Sequence, residues 1–182
     1  MLTTKTSSNY WPKHWDTDTN VMAIVNITHD SFSDGGLFTD FTSAVEKACL
    51  CIKQGAKIID LGAQSTRPGA SEVGKEIEIK RLIPVIKELK LRHPEIPISI
   101  DTFHHSVANT ALNAGADLVN DISGGRHDSD MFNVIADYGC PYVLTHSRGN
   151  SKTMDSLATY KNVVNEVKNE LTNQIDLALS KG

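Results

Sequence analysis

Five short apolar runs, each followed at once by polar residues, alternate along this chain with segments of helical character. The runs lie at residues 21–25, 57–62, 96–100, 116–119 and 141–145. Strands that alternate with helices predict a parallel sheet with right-handed crossovers, in which all strands end at the same edge. The polar residues that follow the five strands are therefore expected to meet at that edge.

The end of the first predicted strand is the most informative of the five. The apolar run stops at Asn26 and enters a loop with carboxylates, hydroxyls, Phe32 and a pair of glycines. Buried strands seldom end this way for packing reasons alone, and such loops commonly bind ligands. The later runs are followed by further polar side chains: Thr66 and Arg67, Asp101, Asn120 and Asp121, and His146 and Arg148.

Apolar spacing and capping signals predict five helices between and after these strands. A Ser-x-x-Glu pattern at Ser43 predicts the start of the first helix, which should end at Gly55. The second covers residues 77–91, and Pro84 is predicted to kink or split it. The remaining three are predicted at 105–113, 131–138 and about 160–181.

Composition excludes several classes of protein. The 182 residues carry a formal net charge of −4 and no basic cluster, so nucleic acid is not an expected partner. No apolar run is long enough to cross a bilayer, so no membrane association is expected either. The odd count of three cysteines favours free thiols in a reducing compartment. Residues 1–20 are interpreted as an arm or linker, and 21–182 as one domain.

The number of repeats leaves two architectures open. An open, doubly wound sheet of five strands fits the length of the chain. A closed barrel would need eight repeats and about 250 residues. Repeat counting alone therefore favours the open sheet, and the motifs must decide.

Five motifs resemble the signatures of the dihydropteroate synthase family, in order and in spacing. They lie at residues 26–36, 59–70, 99–102, 119–125 and 146–149. The resemblance implies the α/β architecture of a (β/α)₈ TIM barrel, of which this chain holds the first five βα units. Residues 121–125 and 128–132 are similar to the fungal branch, where the synthase is usually the C-terminal part of a multifunctional folate protein. That branch implies a cytoplasmic location, with a mitochondrial one as the alternative.

The same resemblance implies a transferase of folate biosynthesis and a sulfonamide target. The family condenses hydroxymethyl-dihydropterin pyrophosphate with para-aminobenzoate, which gives dihydropteroate and pyrophosphate. Mg²⁺ is the expected cofactor, because it takes oxygen ligands and neutralises phosphate charge. Asn26 resembles the family's metal ligand. Besides the two substrates, the expected partners are a second copy in a homodimer or other domains of a multifunctional folate protein.

Four further residues resemble groups that act on the pterin pyrophosphate. Thr66 and Arg67 suit its phosphate oxygens, because charge-assisted hydrogen bonds are stronger than neutral ones. Asp101 and Asn120 suit the pterin ring, whose N–H groups need acceptors and whose ring nitrogens need donors. Asp101 and Arg67 are the expected catalytic residues.

Other polar and aromatic residues lie in or near the same loops. Phe32 and Pro68 resemble positions that wall the aminobenzoate site. Asp121 is interpreted as a loop or helix-capping residue. His146 and Arg148 are placed near the leaving group, although a histidine at a strand end is more often structural.

Several positions depart from the family pattern. His29 stands where proline is usual, and Ala63-Gln64 replaces a more usual Gly-Glu pair. His104 and His105 start a helix without ligand spacing and are predicted to face solvent or to cap it.

Later strands of the family carry an Asp, a Lys and an Arg/His pair that this sequence does not contain. We therefore expect the chain alone to be catalytically poor or inactive. Two alternatives remain: a non-catalytic fragment that binds pterin or a partner, and a related pterin-dependent methyltransferase. The loop at 65–69 argues against the methyltransferase.

Overall fold

A computed structural model describes residues 17–27, 36–64, 73–150 and 152–182, with side chains left out at 36–40. The strands are β1 (Met22–Asn26), β2 (Ile58–Gly62), β3 (Ile98–Asp101), β4 (Leu118–Asp121) and β5 (Tyr142–Leu144). The helices are α1 (Gly36–Lys53), α2 (Lys75–Arg92), α3 (His105–Asn113), α4 (Met131–Tyr138), α5 (Met154–Leu157) and α6 (Val163–Leu179).

The five strands form one parallel sheet in the order β1-β2-β3-β4-β5. Each strand therefore pairs with the strand that follows it in the chain. A doubly wound sheet reverses its strand order at a switch point, whereas a barrel adds its strands in sequence. The unbroken order confirms the barrel-type fold, and the open sheet favoured by repeat counting is wrong.

The hydrophobic core lies between one face of the sheet and helices α1 to α4. Alternate strand residues face it, because side chains along a strand point to opposite sides. Fully buried apolar side chains from both layers include Val25, Leu61, Ile100, Leu82, Ile86, Val107 and Met131. Burying each side chain of this size contributes about 1.5–3 kcal/mol, so packing between the helices and this face of the sheet is a large source of stability.

The first helix begins earlier than the capping pattern predicts. α1 starts at Gly36, and Ser43 is an exposed residue within it. Phe41 is partly buried and packs against the core, so the apolar face of the helix continues upstream of Ser43. The predicted N-terminus at Ser43 is wrong, because packing extends the helix beyond a locally favourable cap.

Pro84 does not divide the second helix, which is continuous from Lys75 to Arg92. The proline is exposed, while Leu82 and Val85 on either side are fully buried. Proline has no backbone N–H, so the carbonyl of Lys80, four residues earlier, lacks its helical hydrogen bond. Lys80 is also exposed, and its carbonyl can bind water instead. The predicted split is wrong, because packing on both sides of Pro84 holds the helix together.

The remaining helices follow the prediction closely. α3 and α4 have the predicted bounds, and α4 ends at Gly139, whose φ of 56° is left-handed. The last predicted helix is shorter than expected, as α6 covers Val163–Leu179 and is preceded by the short α5. Most of the proposed arm, residues 1–16, lies outside the described residues. Among the described helices, none combines the length and apolarity that a membrane span requires.

Candidate functional site

A row of paired residues crosses the carboxyl edge of the sheet and joins three of the predicted site residues. Asn26 pairs with Gly62, Gly62 with Asp101, and Asp101 with Asn120. Paired residues of neighbouring strands point to the same face of a sheet. The side chains of Asn26, Asp101 and Asn120 therefore project together from the face opposite the helices.

Gly62 leaves space in this row for the side chains on either side. A Cβ atom at Gly62 would lie 3.0 Å from Asn26 Oδ1 and 3.2 Å from Asp101 Oδ2. Both oxygens therefore border the space that a side chain at position 62 would occupy. An amide oxygen and a carboxylate oxygen are hard donors of the kind that Mg²⁺ binds alongside water and phosphate. The donor set at this position fits the expected metal.

Asp60 is a residue of this site that the sequence analysis missed. It lies two residues before Gly62, on the same face of β2, and is 2% exposed. Its Oδ2 accepts a hydrogen bond of 3.1 Å from Asn120 Nδ2, whereas its Oδ1 is buried without a partner among the described residues. A buried oxygen without a donor is costly, which favours a ligand N–H as its partner. The available signal was a charged residue inside the apolar run 57–62.

Asp101 has an unusual protonation equilibrium. Burial, together with the nearby carboxylates of Asp60, Glu78 and Asp121, raises the pKa of Asp101 from its ordinary value of 3.8 to about 7. Asp101 therefore exchanges a proton near neutral pH. Strongly shifted carboxyl groups of this kind are frequent at binding and catalytic sites.

Asp121 follows Asn120 but points to the opposite face, toward the helices. It is fully buried and accepts hydrogen bonds from the backbone N–H groups of Ser123 (2.7 Å) and Gly125 (3.0 Å). It also accepts one from the Tyr142 hydroxyl at 2.7 Å, and burial and Asp121 together raise the pKa of that tyrosine. The prediction that Asp121 orders its loop is confirmed.

The two histidines before α3 lie in different surroundings. His104 is buried, and its Nε2 lies 3.6 Å from Glu78 Oε1. His104 is the N-cap residue of α3, as one of the two predicted alternatives has it, although its side chain makes no capping hydrogen bond. The other alternative, a solvent-facing His104, is wrong, because its ring packs among α2, Phe103 and His127. His105 is half-buried, and both its backbone N–H (3.1 Å) and its Nδ1 (2.7 Å) contact Asp128 Oδ2.

Ligand atoms of His105, Asp128 and Asp130 lie within 4.8 Å of one another, a spacing that could hold a metal ion. Hydrogen bonds within the protein already use these groups. Asp128 Oδ1 accepts from the backbone N–H of Asp130, and Asp130 Oδ1 accepts from Asn133. The cluster therefore orders the loop before α4 and the start of α3.

His146 and Arg148, at the end of β5, are bound to α6. The Arg148 guanidinium pairs with Glu166 Oε2 at 2.9 Å and with Glu170, and lies 4.0 Å above the Tyr160 ring. His146 Nε2 contacts Glu170 Oε2 at 2.9 Å, and the Arg148 and His146 hydrogen bonds lower the pKa of Glu170 to about 2. A cleft of about 570 Å³ borders Arg148 and Arg126, but none of its lining residues belongs to the row of Asn26, Asp101 and Asn120.

Four predicted site residues lie outside the described part of the chain, namely Phe32, Thr66, Arg67 and Pro68.

Comparison with known proteins agrees with the fold. Residues 22–182 match the pterin binding enzyme family. The chain is 45% identical to dihydropteroate synthase of Synechocystis over 168 residues, covering 92% of this chain and 58% of that protein. It is 46% identical to a mitochondrial folate synthesis bifunctional protein of Pisum sativum, covering 88% of this chain and 32% of that protein.

A solved structure is similar over most of the chain. Dihydropteroate synthase of Clostridium difficile, determined in the presence of pteroic acid, superimposes with a TM-score of 0.82 and 41% identity. The match covers 91% of this chain and 60% of the other. The chain therefore belongs to the family of pterin binding enzymes. Within that family, its relatives include the dihydropteroate synthases of Synechocystis and C. difficile, and it spans 58% of the Synechocystis protein.

Proposed function

We propose that this chain supplies the pterin-binding half of a dihydropteroate synthase. The reaction joins hydroxymethyl-dihydropterin pyrophosphate to para-aminobenzoate, with loss of pyrophosphate. The observation that carries the proposal is the row of Asn26, Asp101 and Asn120 at the carboxyl edge of the sheet. Active sites of (β/α)₈ enzymes lie at this edge. The C. difficile relative was studied with pteroic acid, which joins a pterin to aminobenzoate.

The proposed pterin subsite combines two acceptors and one amide. Asp101 and Asp60 Oδ1 are suited to the amino and N–H groups of the pterin. Asn120 is oriented by its hydrogen bond to Asp60 and presents the rest of its amide to the ring. Asp101 is also proposed as a catalytic residue, because a carboxylate beside the ring stabilises the positive charge that develops as pyrophosphate leaves.

The proposed pyrophosphate subsite lies next to Asn26, at the end of β1. Asn26 Oδ1, with Asp101 Oδ2 nearby, would hold Mg²⁺. When bound, the metal ion would neutralise charge on the leaving pyrophosphate. Thr66 and Arg67 are proposed to bind the same phosphate oxygens, with Arg67 acting on the leaving group.

Phe32 and Pro68 are proposed to line the aminobenzoate site. Their apolar surfaces suit a benzoate ring and would exclude water from the reacting carbon. His146 and Arg148 have no part in the proposed chemistry, since their side chains are engaged with Glu170.

The proposed enzyme is larger than this chain. The chain spans 58% of the Synechocystis protein and 32% of the bifunctional Pisum protein, so we propose that further βα units complete the barrel. They would come from other domains of a multifunctional folate protein, and a homodimer is the proposed alternative partner arrangement. We propose a cytoplasmic location, with a mitochondrial one as the alternative. By itself, the 182-residue chain is expected to bind pterin but to turn over poorly.

A binding titration tests the pterin subsite. The chain is titrated with 6-hydroxymethylpterin by calorimetry at several pH values, with the exposed-site variant Asp137→Asn as the control. We expect saturable binding that weakens about tenfold for each pH unit below about 7, as Asp101 becomes protonated and loses its acceptor. Absence of binding by the folded chain would contradict the proposed subsite.

A second assay separates the three candidate functions. Pyrophosphate release from hydroxymethyl-dihydropterin pyrophosphate is followed with Mg²⁺, with and without para-aminobenzoate. Release that depends on aminobenzoate supports the synthase. Pterin binding without release supports a non-catalytic binding fragment. If pyrophosphate with Mg²⁺ does not compete with the phosphorylated pterin for binding to the chain, the result would favour the methyltransferase.

A further inference from the structure

A buried carboxylate on α2 lies beyond the point where the pairing of β2 with β3 stops. The backbone register of these two strands ends at Gly62 and Asp101. Glu78 is fully buried, and it shares the inner face of α2 with Leu82 and Val85. It contacts residues that follow both strands. Glu78 therefore extends, through its side chain, a connection that the backbone no longer makes.

On the side of β2, Glu78 binds the amide of Gln64. This residue is buried, two positions after Gly62, and its Nε2 donates to Glu78 Oε1 at 2.7 Å. Gln64 also exchanges two hydrogen bonds with the backbone of Val73, of 2.6 Å to the carbonyl and 2.7 Å from the N–H group. An amide with all three contacts satisfied cannot rotate without placing like groups together. Gln64 therefore holds a fixed orientation and presents one N–H to Glu78.

On the side of β3, Glu78 binds the hydroxyl of Thr102. Thr102 directly follows Asp101 and is 1% exposed, and its Oγ1 donates to Glu78 Oε2 at 3.1 Å. The same Oγ1 accepts a hydrogen bond of 3.2 Å from the backbone N–H of His104. The Thr102 N–H donates to the carbonyl of Asn120 at 3.1 Å. These three bonds fix the backbone immediately after Asp101.

Packing alone does not explain a carboxylate at position 78. A buried carboxylate is unfavourable unless hydrogen bonds satisfy it, and an apolar residue there would stabilise α2 at least as well. Strand ends without a pairing neighbour also open more easily than strand interiors. Asp101 is the last residue of β3 that pairs with β2, so its position depends on what holds the residues beyond it. The bridge from Gln64 through Glu78 to Thr102 supplies that hold.

We propose that Glu78 and Thr102 are positioning residues, which hold the ends of β2 and β3 together and thereby fix Asp101 relative to Asp60 in the pterin subsite. This proposal rests on the proposed function, in which both aspartates accept hydrogen bonds from one flat ring. Glu78 and Thr102 act through the strand ends and do not contact the ligand. Loss of their bridge should weaken binding of the pterin ring, because two acceptors that serve one rigid ligand must keep a fixed separation.

The first part of the test changes Thr102 and measures the affinity for 6-hydroxymethylpterin by calorimetry. A pH of about 8 lies above the pKa of Asp101, about 7, so that this residue is ionised throughout. Thr102→Val keeps the shape of the side chain but lacks the hydroxyl, whereas Thr102→Ser keeps the hydroxyl but lacks the methyl group. We expect Thr102→Val to bind about tenfold more weakly and Thr102→Ser to change less than about twofold. A role in packing alone predicts the opposite order, because only Thr102→Ser leaves a cavity.

The second part changes Glu78. In Glu78→Gln, the new amide can accept from Gln64 and donate to the Thr102 hydroxyl, so the bridge is kept and the affinity should change less than about twofold. Glu78→Met removes both contacts at similar volume, and should bind the pterin about tenfold more weakly without a lower melting temperature. Adding Thr102→Val to Glu78→Met should weaken binding little further, because both changes break the same bridge.

A matched control and a fallback complete the design. Glu76→Met makes the same substitution at an exposed position of the same helix, and should change neither the pterin affinity nor the melting temperature. If Glu78→Met does not fold, the two Thr102 variants test the same proposal.

Hydrogen exchange without ligand separates this proposal from the proposed function. By NMR, the side-chain amide protons of Gln64 should exchange slowly in the unaltered chain, and at least one of them about tenfold faster in Glu78→Met. The Leu61 and Ile100 backbone amides should not change. Rapid exchange of the Gln64 protons in the unaltered chain would overturn the bridge, and affinities that follow side-chain volume, or do not differ, would overturn its positioning role. If the unaltered chain bound no pterin, the proposed function would fail while the Gln64 result still stood.

Discussion

At the scale of single residues, the ionised form of Asp101 suits the binding of a ligand but lowers the stability of the folded chain. Its raised pKa means that the folded chain retains a proton that the unfolded chain releases at lower pH. Stability therefore falls as the pH rises from about 4 to about 7, because the carboxylate must ionise next to Asp60, Glu78 and Asp121. A residue kept at such a cost is expected to serve a ligand.

The first prediction concerns Asp101→Asn. The amide cannot ionise, so above pH 7 we expect the free energy of unfolding to rise by about 1–3 kcal/mol, and near pH 4 not at all. Urea denaturation at several pH values measures the difference, with Asp137→Asn as the exposed control. The same variant should lose most of its affinity for 6-hydroxymethylpterin. A destabilised Asp101→Asn at pH 8 would argue against this account.

The second prediction concerns Gly62→Ala. The added Cβ would meet the side-chain oxygens of Asn26 and Asp101, and we expect those side chains to turn aside while the backbone stays in place. We expect the melting temperature to change little and the affinity for pterin monophosphate with Mg²⁺ to fall about tenfold.

The matched control for Gly62→Ala is Gly74→Ala. There the new Cβ would make only an ordinary contact of 3.6 Å with Glu76. If both variants bound the ligand equally well, the convergence of Asn26 and Asp101 over Gly62 would have no role in binding.

Individual residues also show what the sequence could and could not reveal. Asn26, Asp101 and Asn120 were identified because each follows an apolar run, and the register of a parallel sheet then brings them together. Asp60 carried a signal of its own, a charge within a buried strand. Glu78 and Gln64 differ from them, since what distinguishes them is a set of hydrogen bonds that join α2 to residues just after β2 and β3. The spacing of apolar and polar residues within one helix or strand does not predict such contacts, because they join separate parts of the chain.

At the scale of secondary structure elements, local signals predicted the order of strands and helices, and packing decided their limits. The Ser43 cap and the Pro84 break were both overridden by apolar residues that face the core on either side. The start of α3 shows a different case, in which a distant loop supplies the cap. Asp128, from the loop before α4, binds the backbone and side chain of His105.

The third prediction tests this contact through Asp128→Asn. Burial alone would raise the pKa of Asp128, but hydrogen bonds from His105 and from the backbone of Asp130 outweigh it and hold the pKa below its ordinary value. The stabilisation is therefore present at neutral pH and is lost as the pH falls through that lowered pKa. We expect Asp128→Asn to lower the free energy of unfolding at pH 7 by about 1 kcal/mol.

Thermal unfolding at pH 7 and at acid pH measures this effect, with Asp155→Asn on the exposed α5 as the control. The difference between Asp128→Asn and the unaltered chain should shrink at acid pH. If it persisted there unchanged, the stabilisation would not come from the charged carboxylate.

At the scale of the whole molecule, the two faces of the sheet differ in what covers them. The helix-facing side is packed, whereas Ile24 on the other side of β1 is 60% exposed. β1 and β5 each pair with a single strand among the described residues. In a closed barrel, this inner face is filled by layers of side chains from all the strands.

The fourth prediction follows from that exposure. Ile24→Ser should change the free energy of unfolding by less than about 0.5 kcal/mol relative to the unaltered chain, because the residue contributes little to the core. It should also reduce self-association, since exposed apolar surface favours contact between copies. Sedimentation velocity over a range of concentrations measures the change, with Leu91→Ser on the exposed end of α2 as the comparison. A loss of stability comparable to that of a core substitution would contradict the described packing of β1.

The register of the site has a final consequence for how such enzymes can diverge. Neighbouring strands lie about 4.8 Å apart, a distance that backbone hydrogen bonds set whatever the side chains are. Substitutions at Asn26, Asp101 and Asn120 can therefore change the chemistry of the side chains that contact a ligand. The distances between these positions across the sheet stay the same. New ligand preferences on this scaffold should arise among flat molecules of similar width, and only a change of strand pairing would admit a ligand of different dimensions.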